Sequence, residues 1–173
     1  MIKRLTLPLV TLLLFYSESL FVIFFLKIES FEGRIIVPHF LIIFILFICV
    51  FFQYRTALLY AFIFGFLFDI FYTEINGIYL VFYPFVVFLA HAMLKILHNN
   101  LFVFSLIVII NLSVLEFLVY QINVIIQRTD MTFIQFADLR LWPTLALNAV
   151  FYIIFSYPFK VFLQRKQKQL LED

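Results

Sequence analysis

From Leu5 to Leu26 the chain carries a single charged side chain, Glu18, in an otherwise almost wholly apolar run. At about 1.5 Å of rise per residue, a run of this length crosses the ~30 Å hydrocarbon core of a bilayer as a helix. Five more runs of the same character cover about 35–52, 56–72, 78–97, 101–126 and 141–163. None alternates apolar with polar residues, and all exceed the ~10 residues of a tilted barrel strand, so helices are expected. The expected architecture is an all-α integral membrane protein with six transmembrane helices in one domain, 1–173. Composition agrees. Charged residues make up 13% of the chain and hydrophobic residues 66%, with a mean hydropathy of +1.14. That leaves too little polar surface to cover a water-soluble core. A soluble domain, a nucleic-acid binder and a disordered chain are thereby excluded. A net charge of +2 is too small to suggest a polyanionic partner.

The links between runs set the topology. The second and third runs are joined by little more than Gln53-Tyr54-Arg55, and the third and fourth by Thr73 to Gly77, where Asn76-Gly77 is a turn signal. Such short links make helices two, three and four an antiparallel meander. With the N-terminus inside, the inner side holds Lys3, Arg4, Arg55, Lys95, Lys160, Arg165, Lys166 and Lys168. The outer side holds Lys27, Arg34, Arg128 and Arg140, offset by Glu29, Glu32, Glu74, Asp130 and Asp138. Eight basic residues against four put both termini inside by the positive-inside rule. The first run is too long for a signal peptide and is followed by no small-x-small cleavage site, so it reads as a retained helix. The segment Arg128 to Arg140 is either an amphipathic helix on the outer membrane face or an ordinary loop. The tail from Gln164 reads as a helix end near anionic headgroups.

Polar residues within the runs are the informative ones, because a charge at a helix centre costs roughly 2.5–3.5 kcal/mol on insertion scales. Three carboxylates fall there: Glu18, Asp69 and Glu116. The expected topology puts all three in the outer half of the membrane. On helix five, Ser113, Glu116, Tyr120, Asn123 and Gln127 share one face by their spacing. On helix three, Ala57, Ala61, Gly65, Asp69 and Thr73 recur every fourth residue, a small-residue stripe along which another helix can come close. Thr11 shares a face of helix one with Glu18, and Thr144, Asn148 and Tyr152 line helix six behind Trp142-Pro143.

Each carboxylate admits two readings. It is either hydrogen-bonded to a neighbouring helix, with Asp69 able to cap the next one, or it joins a polar cluster open to the outer side. The cationic partner of such a cluster would be Arg140 or a residue of another protein. His91 reads as packed and neutral, and His39, beside Pro38, as a helix start. His39, His91, His98 and the lone Cys49 have no metal-ligand spacing, so no metal or cofactor is expected. No Gly-Asp protease pair, His-Glu-x-x-His or phosphate loop occurs, and no enzymatic activity is expected. The runs also show no broken half-helix of the transporter type.

The block Gly65-Phe66-Leu67-Phe68-Asp69-Ile70-Phe71-Tyr72-Thr73-Glu74-Ile75-Asn76-Gly77-Ile78-Tyr79 resembles the signature of the MreD family of bacterial membrane proteins. That family typically has a Gly, an Asp four residues on and a second Gly after a short turn, matched here by Gly65, Asp69 and Gly77. Asn76 departs from relatives that often carry an apolar residue there. Lys3-Arg4 with Pro8, Ser17-Glu18, Leu115-Glu116-Phe117 and Asp138 to Thr144 with Asn148 beyond are also similar, so the resemblance extends over the chain. It implies a non-enzymatic scaffold of the elongation (rod) machinery for side-wall peptidoglycan in the bacterial cytoplasmic membrane. The implied partners are MreC, whose transmembrane helix the small-residue stripe of helix three and the polar stripe of helix five would hold, MreB, RodA and a class B penicillin-binding protein. The implied fold is similar to the substrate-binding subunit of energy-coupling-factor (ECF) transporters. The implied partner-binding or structural residues are Ala57, Ala61, Gly65, Asp69, Gly77, Glu18, Glu116, Tyr120, Asn123, Arg140 and Asn148. A small-molecule-binding transport subunit is the alternative that this fold resemblance leaves open.

Overall fold

The computed structural model describes residues 2–25, 33–96 and 100–172. Lys27, Glu29, Glu32 and His98, and the expected span ends at Leu26 and Leu97, lie outside them. Among the described residues every regular element is helical. The order is α1 (Ile2–Phe25), α2 (Phe40–Phe51), α3 (Tyr54–Tyr72), α4 (Ile78–Ile96), α5 (Leu101–Ile125), α6 (Phe133–Phe136) and α7 (Trp142–Glu172). One π-helical turn, Ala137–Leu141, joins α6 to α7. Five helical stretches are long and apolar enough to cross a membrane. The protein is a multi-pass integral membrane protein. Its lipid-facing surface is apolar, with Leu9, Leu13, Phe24, Phe71, Phe102, Ile153 and Tyr157 all exposed.

The second expected span differs. Helix does not begin at Ile35: residues 34–39 are neither helix nor strand, and α2 has 12 residues. Pro38 is the reason, because it disfavours helical backbone at Val37 and has no N–H to donate. At about 18 Å, α2 is too short to cross alone. The non-helical lead adds length, so the two together can serve as the second pass. This corrects the expectation that no half-helix would be found.

The half-helix is also the centre of the molecule. Every residue from Phe40 to Cys49 is buried, and α1, α3, α4 and α7 all pack on it. An all-apolar helix touched on every side needs no polar face. Phenylalanine fills the gaps between helices: Phe40 stacks on Phe151 with ring centroids 4.1 Å apart, and Phe47 meets Phe104 edge-on at 4.8 Å. At the far end Gln167 donates to the Phe52 carbonyl at 3.1 Å. The tail is therefore helix rather than loose chain, since α7 continues through Lys- and Gln-rich sequence of good helix propensity.

α3 and α4 form the closest helix pair. Ala57, Ala61 and Gly65 on α3 are buried. A Cβ on Gly65 would lie 2.4 Å from the Tyr79 carbonyl oxygen and 3.2 Å from the Leu80 Cα. The stripe was expected to hold a partner's helix; at Gly65 the helix that comes close is α4 of the same chain. A partner helix has no room on that face.

Candidate functional site

Asp69 sits at the end of α3, buried, and its carboxylate accepts three backbone N–H groups. Oδ2 takes Gly77 at 2.9 Å and Leu80 at 2.8 Å, and Oδ1 takes Tyr79 at 2.9 Å. These are donors that the first turn of α4 leaves without intrahelical partners. Gly77 has φ +111°, a backbone that L side chains rarely adopt, and this turns the chain back within five residues. The Thr73 hydroxyl closes the turn by donating to the Asp69 carbonyl at 3.0 Å. Gly65, Asp69 and Gly77 thus make one clasp: close approach, cap and reversal. Of the two readings of Asp69, the cap is the one realised.

The second polar centre lies at the head of α2. Backbone outside a helix has no intrahelical partner for its N–H groups, and inside a membrane each must be met by protein. Here the odd-numbered residues donate in turn. Ile35 donates to the Leu139 carbonyl at 2.8 Å, Val37 to Thr144 Oγ1 at 3.1 Å, His39 to Asn148 Oδ1 at 2.8 Å and Leu41 to Glu18 Oε1 at 2.8 Å. The Val37 carbonyl accepts from Asn148 Nδ2 at 2.9 Å. The Leu139 carbonyl is free for this use because Pro143, four residues on, has no N–H to give it. Two of these four donors, Val37 and His39, are met by the side-chain face of α7. Tyr152, the third member of that face, donates to the Leu101 carbonyl at 2.8 Å.

Glu116 joins the same junction from α5. Its Oε1 lies 2.6 Å from His39 Nε2 and its Oε2 accepts the Arg140 Nε–H at 2.6 Å. Glu116 and His39 are fully buried, and Arg140 is 20% exposed. Arg140 is thus the partner expected for a buried carboxylate, delivered by the π turn before α7. His39, read from sequence only as a helix start, proves to be the second partner. No spacing signal pointed to it, because the two residues lie 77 positions apart.

The remaining expected residues divide. Tyr120 is buried and donates to the Met131 carbonyl at 2.9 Å, stacking on Phe136 at 4.2 Å. Asn123 and Ser113 bond backbone carbonyls of their own helix, and α5 ends at Ile125, so Gln127 leaves the stripe with φ +56°. The polar face of α5 is therefore shorter than its spacing predicts. The 128–140 segment is partly helix: Thr132 and Gln135 form a capping box, Phe133 and Ile134 are exposed, and Phe136 is buried. Arg128 pairs with Glu74 across the two loops, both side chains well exposed. His91 stacks on Tyr54 at 4.0 Å, as fits a packed histidine.

Glu18, Arg140 and Tyr79 line a partly open cavity of about 300 Å³ between α1, the non-helical lead, the end of α3 and the start of α4. Glu18 and Glu116 serve neighbouring residues of one helix head, and Asp69 caps α4 nearby. All three carboxylates therefore lie toward one end of the bundle. Among the described residues no group of three or more His, Cys, Asp or Glu side chains is placed to hold a metal ion.

Comparison with known proteins agrees with this picture over the chain's length. The family model described as rod shape-determining protein MreD matches residues 3–166. The rod shape-determining protein MreD of Bacillus subtilis (strain 168) is 35% identical over 173 residues, covering 99% of each chain. No solved structure matches the chain significantly. A family model and a full-length relative that both span the α3–α4 clasp and the junction at the head of α2 establish that this chain belongs to the MreD family.

Proposed function

We propose that the protein is a non-enzymatic scaffold that determines rod shape, holding the transmembrane helix of MreC within the machinery for side-wall peptidoglycan synthesis. The observation that carries this is the use made of the buried polar groups. Asp69, Glu116, His39, Arg140, Thr144 and Asn148 all fix backbone or one another, which suits a rigid support. The protein would lie in the cytoplasmic membrane with both termini inside. Its basic inner residues and the end of α7 would meet MreB, and RodA and a class B penicillin-binding protein would join within the membrane. A fold similar to the substrate-binding subunit of ECF transporters is part of the same proposal.

With the Ala57–Gly65 face filled by α4, the MreC helix is assigned to the groove between α5 and α7. That groove measures about 410 Å³ and includes Ser105, Ala149 and Ser156, small residues of the kind that admit a close helix. Cysteines at these three positions should form disulfides with cysteines in the MreC transmembrane segment at helical spacing. Co-purification of MreC without any such crosslink would remove the groove from the proposal. Cells that keep their rod shape when the protein is depleted would remove the scaffold role itself. A C-terminal alkaline-phosphatase fusion should be inactive.

A further inference from the structure

Glu18 uses one of its two oxygens. Oε1 accepts the Leu41 N–H, whereas Oε2 is buried and has no hydrogen-bond partner among the described residues. The residue is 3% exposed and lines the 300 Å³ cavity described above. A buried carboxylate oxygen without a donor, on a residue that lines a cavity, is a demand for one. Arg140 lines the same cavity; its Nε–H goes to Glu116 and its side chain also pairs with Tyr79, which still leaves N–H groups of a five-donor fork over. The rest of the wall is mainly apolar and aromatic, with Phe68, Tyr72 and Tyr79. The cavity thus offers an acceptor and a cation, set in apolar surroundings. Phe24 on α1 and Ile70 and Phe71 on α3, at the same end of the bundle, are exposed to lipid.

We propose that this cavity binds a zwitterion carrying a primary ammonium, with the ammonium on Glu18 Oε2 and the anionic group on Arg140. The phosphatidylethanolamine headgroup has this chemistry, and so does a soluble aminoalkyl phosphate. The N–H donors are the decisive feature. A quaternary ammonium has the same charge and cannot donate to the carboxylate. This goes beyond the scaffold role and stands whether or not MreC binds.

The test is native mass spectrometry of the full chain in mild detergent, titrated with phosphatidylethanolamine, phosphatidylcholine and phosphatidylglycerol of matched acyl chains. Phosphatidylethanolamine should be retained about ten-fold more strongly than phosphatidylcholine, the scale of one charge-assisted hydrogen bond. Glu18→Gln keeps an oxygen for the Leu41 N–H, so the fold should persist, but it turns an N–H₂ toward the ligand. The preference should then fall to about one. Val22→Phe, which fills the cavity from α1 and leaves Glu18 in place, should abolish retention of all three lipids at the site. Soluble glycerophosphoethanolamine in excess separates the sources: displacement of the lipid marks a site for the headgroup alone, and no displacement marks a lipid site. Equal retention of the three lipids by the wild-type chain, or an unchanged preference in Glu18→Gln, would overturn the proposal.

Discussion

The α3–α4 clasp and the junction at the head of α2 solve the same problem with different reach. Both satisfy backbone N–H groups that open where a helix begins inside the bundle. In the clasp, the acceptor stands 8–11 residues from its donors, on the helix just before them. In the junction, the donors between Ile35 and Leu41 are met from α1, the π turn and α7, and Glu116 arrives from α5. The clasp needs only its own hairpin. The junction exists only when four separate parts of the chain are in place. The first is therefore a local folding unit, and the second is a lock on the assembled bundle.

This difference predicts where damage is greatest. Glu116→Ala leaves the buried His39 and the largely buried Arg140 without their shared carboxylate. Removing one partner of a buried pair costs roughly 3–5 kcal/mol, so the variant should show the largest loss of unfolding stability in detergent and a lowered cellular level. If its stability matches wild type, the junction is not a lock. Asp69→Ala should come next. It orphans three N–H groups at once, and a single lost cap alone costs about 0.5–2 kcal/mol. Asp69→Asn keeps one acceptor oxygen and should recover part of the loss. If the hairpin is a local unit, a peptide covering α3 and α4 in micelles should show the same ranking by helix content.

Gly65→Ala tests the clasp from the packing side. The new methyl group would meet backbone rather than a movable side chain, 2.4 Å from the Tyr79 oxygen. Overpacking of this kind costs about 1–3 kcal/mol. Partial separation of α3 from α4 should appear as a lower unfolding midpoint in detergent. Gly77→Ala has open space around the side chain, so any effect it shows comes from the φ of +111° alone.

The same difference in reach decides what could be read from sequence. Gly65, Asp69, Asn76 and Gly77 stand within one short block, and spacing alone suggested both the close approach and the cap. Hydropathy located α1, α3, α4 and α5 to within a few residues, because each is a full-length apolar helix. It failed at α2, since apolar composition cannot tell a helix from a non-helical lead when both are buried. The ion pair of Glu116 with Arg140 could be guessed, because a buried acid needs a cation and few were available. The contact with His39 could not, for it joins residues 77 positions apart and depends on where α2 starts. The small-residue stripe was read correctly as a close helix contact, but its spacing carries no information on whose helix comes close.

The smallest expected effects make the sharpest comparison. Thr144→Val removes one hydroxyl acceptor from the Val37 N–H, a bond worth about 0.6 kcal/mol on average between membrane helices. Combined with Asn148→Ala, which acts on the next donor two residues along, the loss should exceed the sum of the single losses by about 0.5 kcal/mol or more, because both hold the same non-helical lead. Combined with Asp69→Asn, it should add within about 0.3–0.5 kcal/mol, since the two sites share no partner. The cycle is measured by unfolding in one detergent at one temperature. Coupling between Thr144 and Asp69 as large as that between Thr144 and Asn148 would mean that clasp and junction form a single unit. The distinction between a local clasp and a global lock would then be gone.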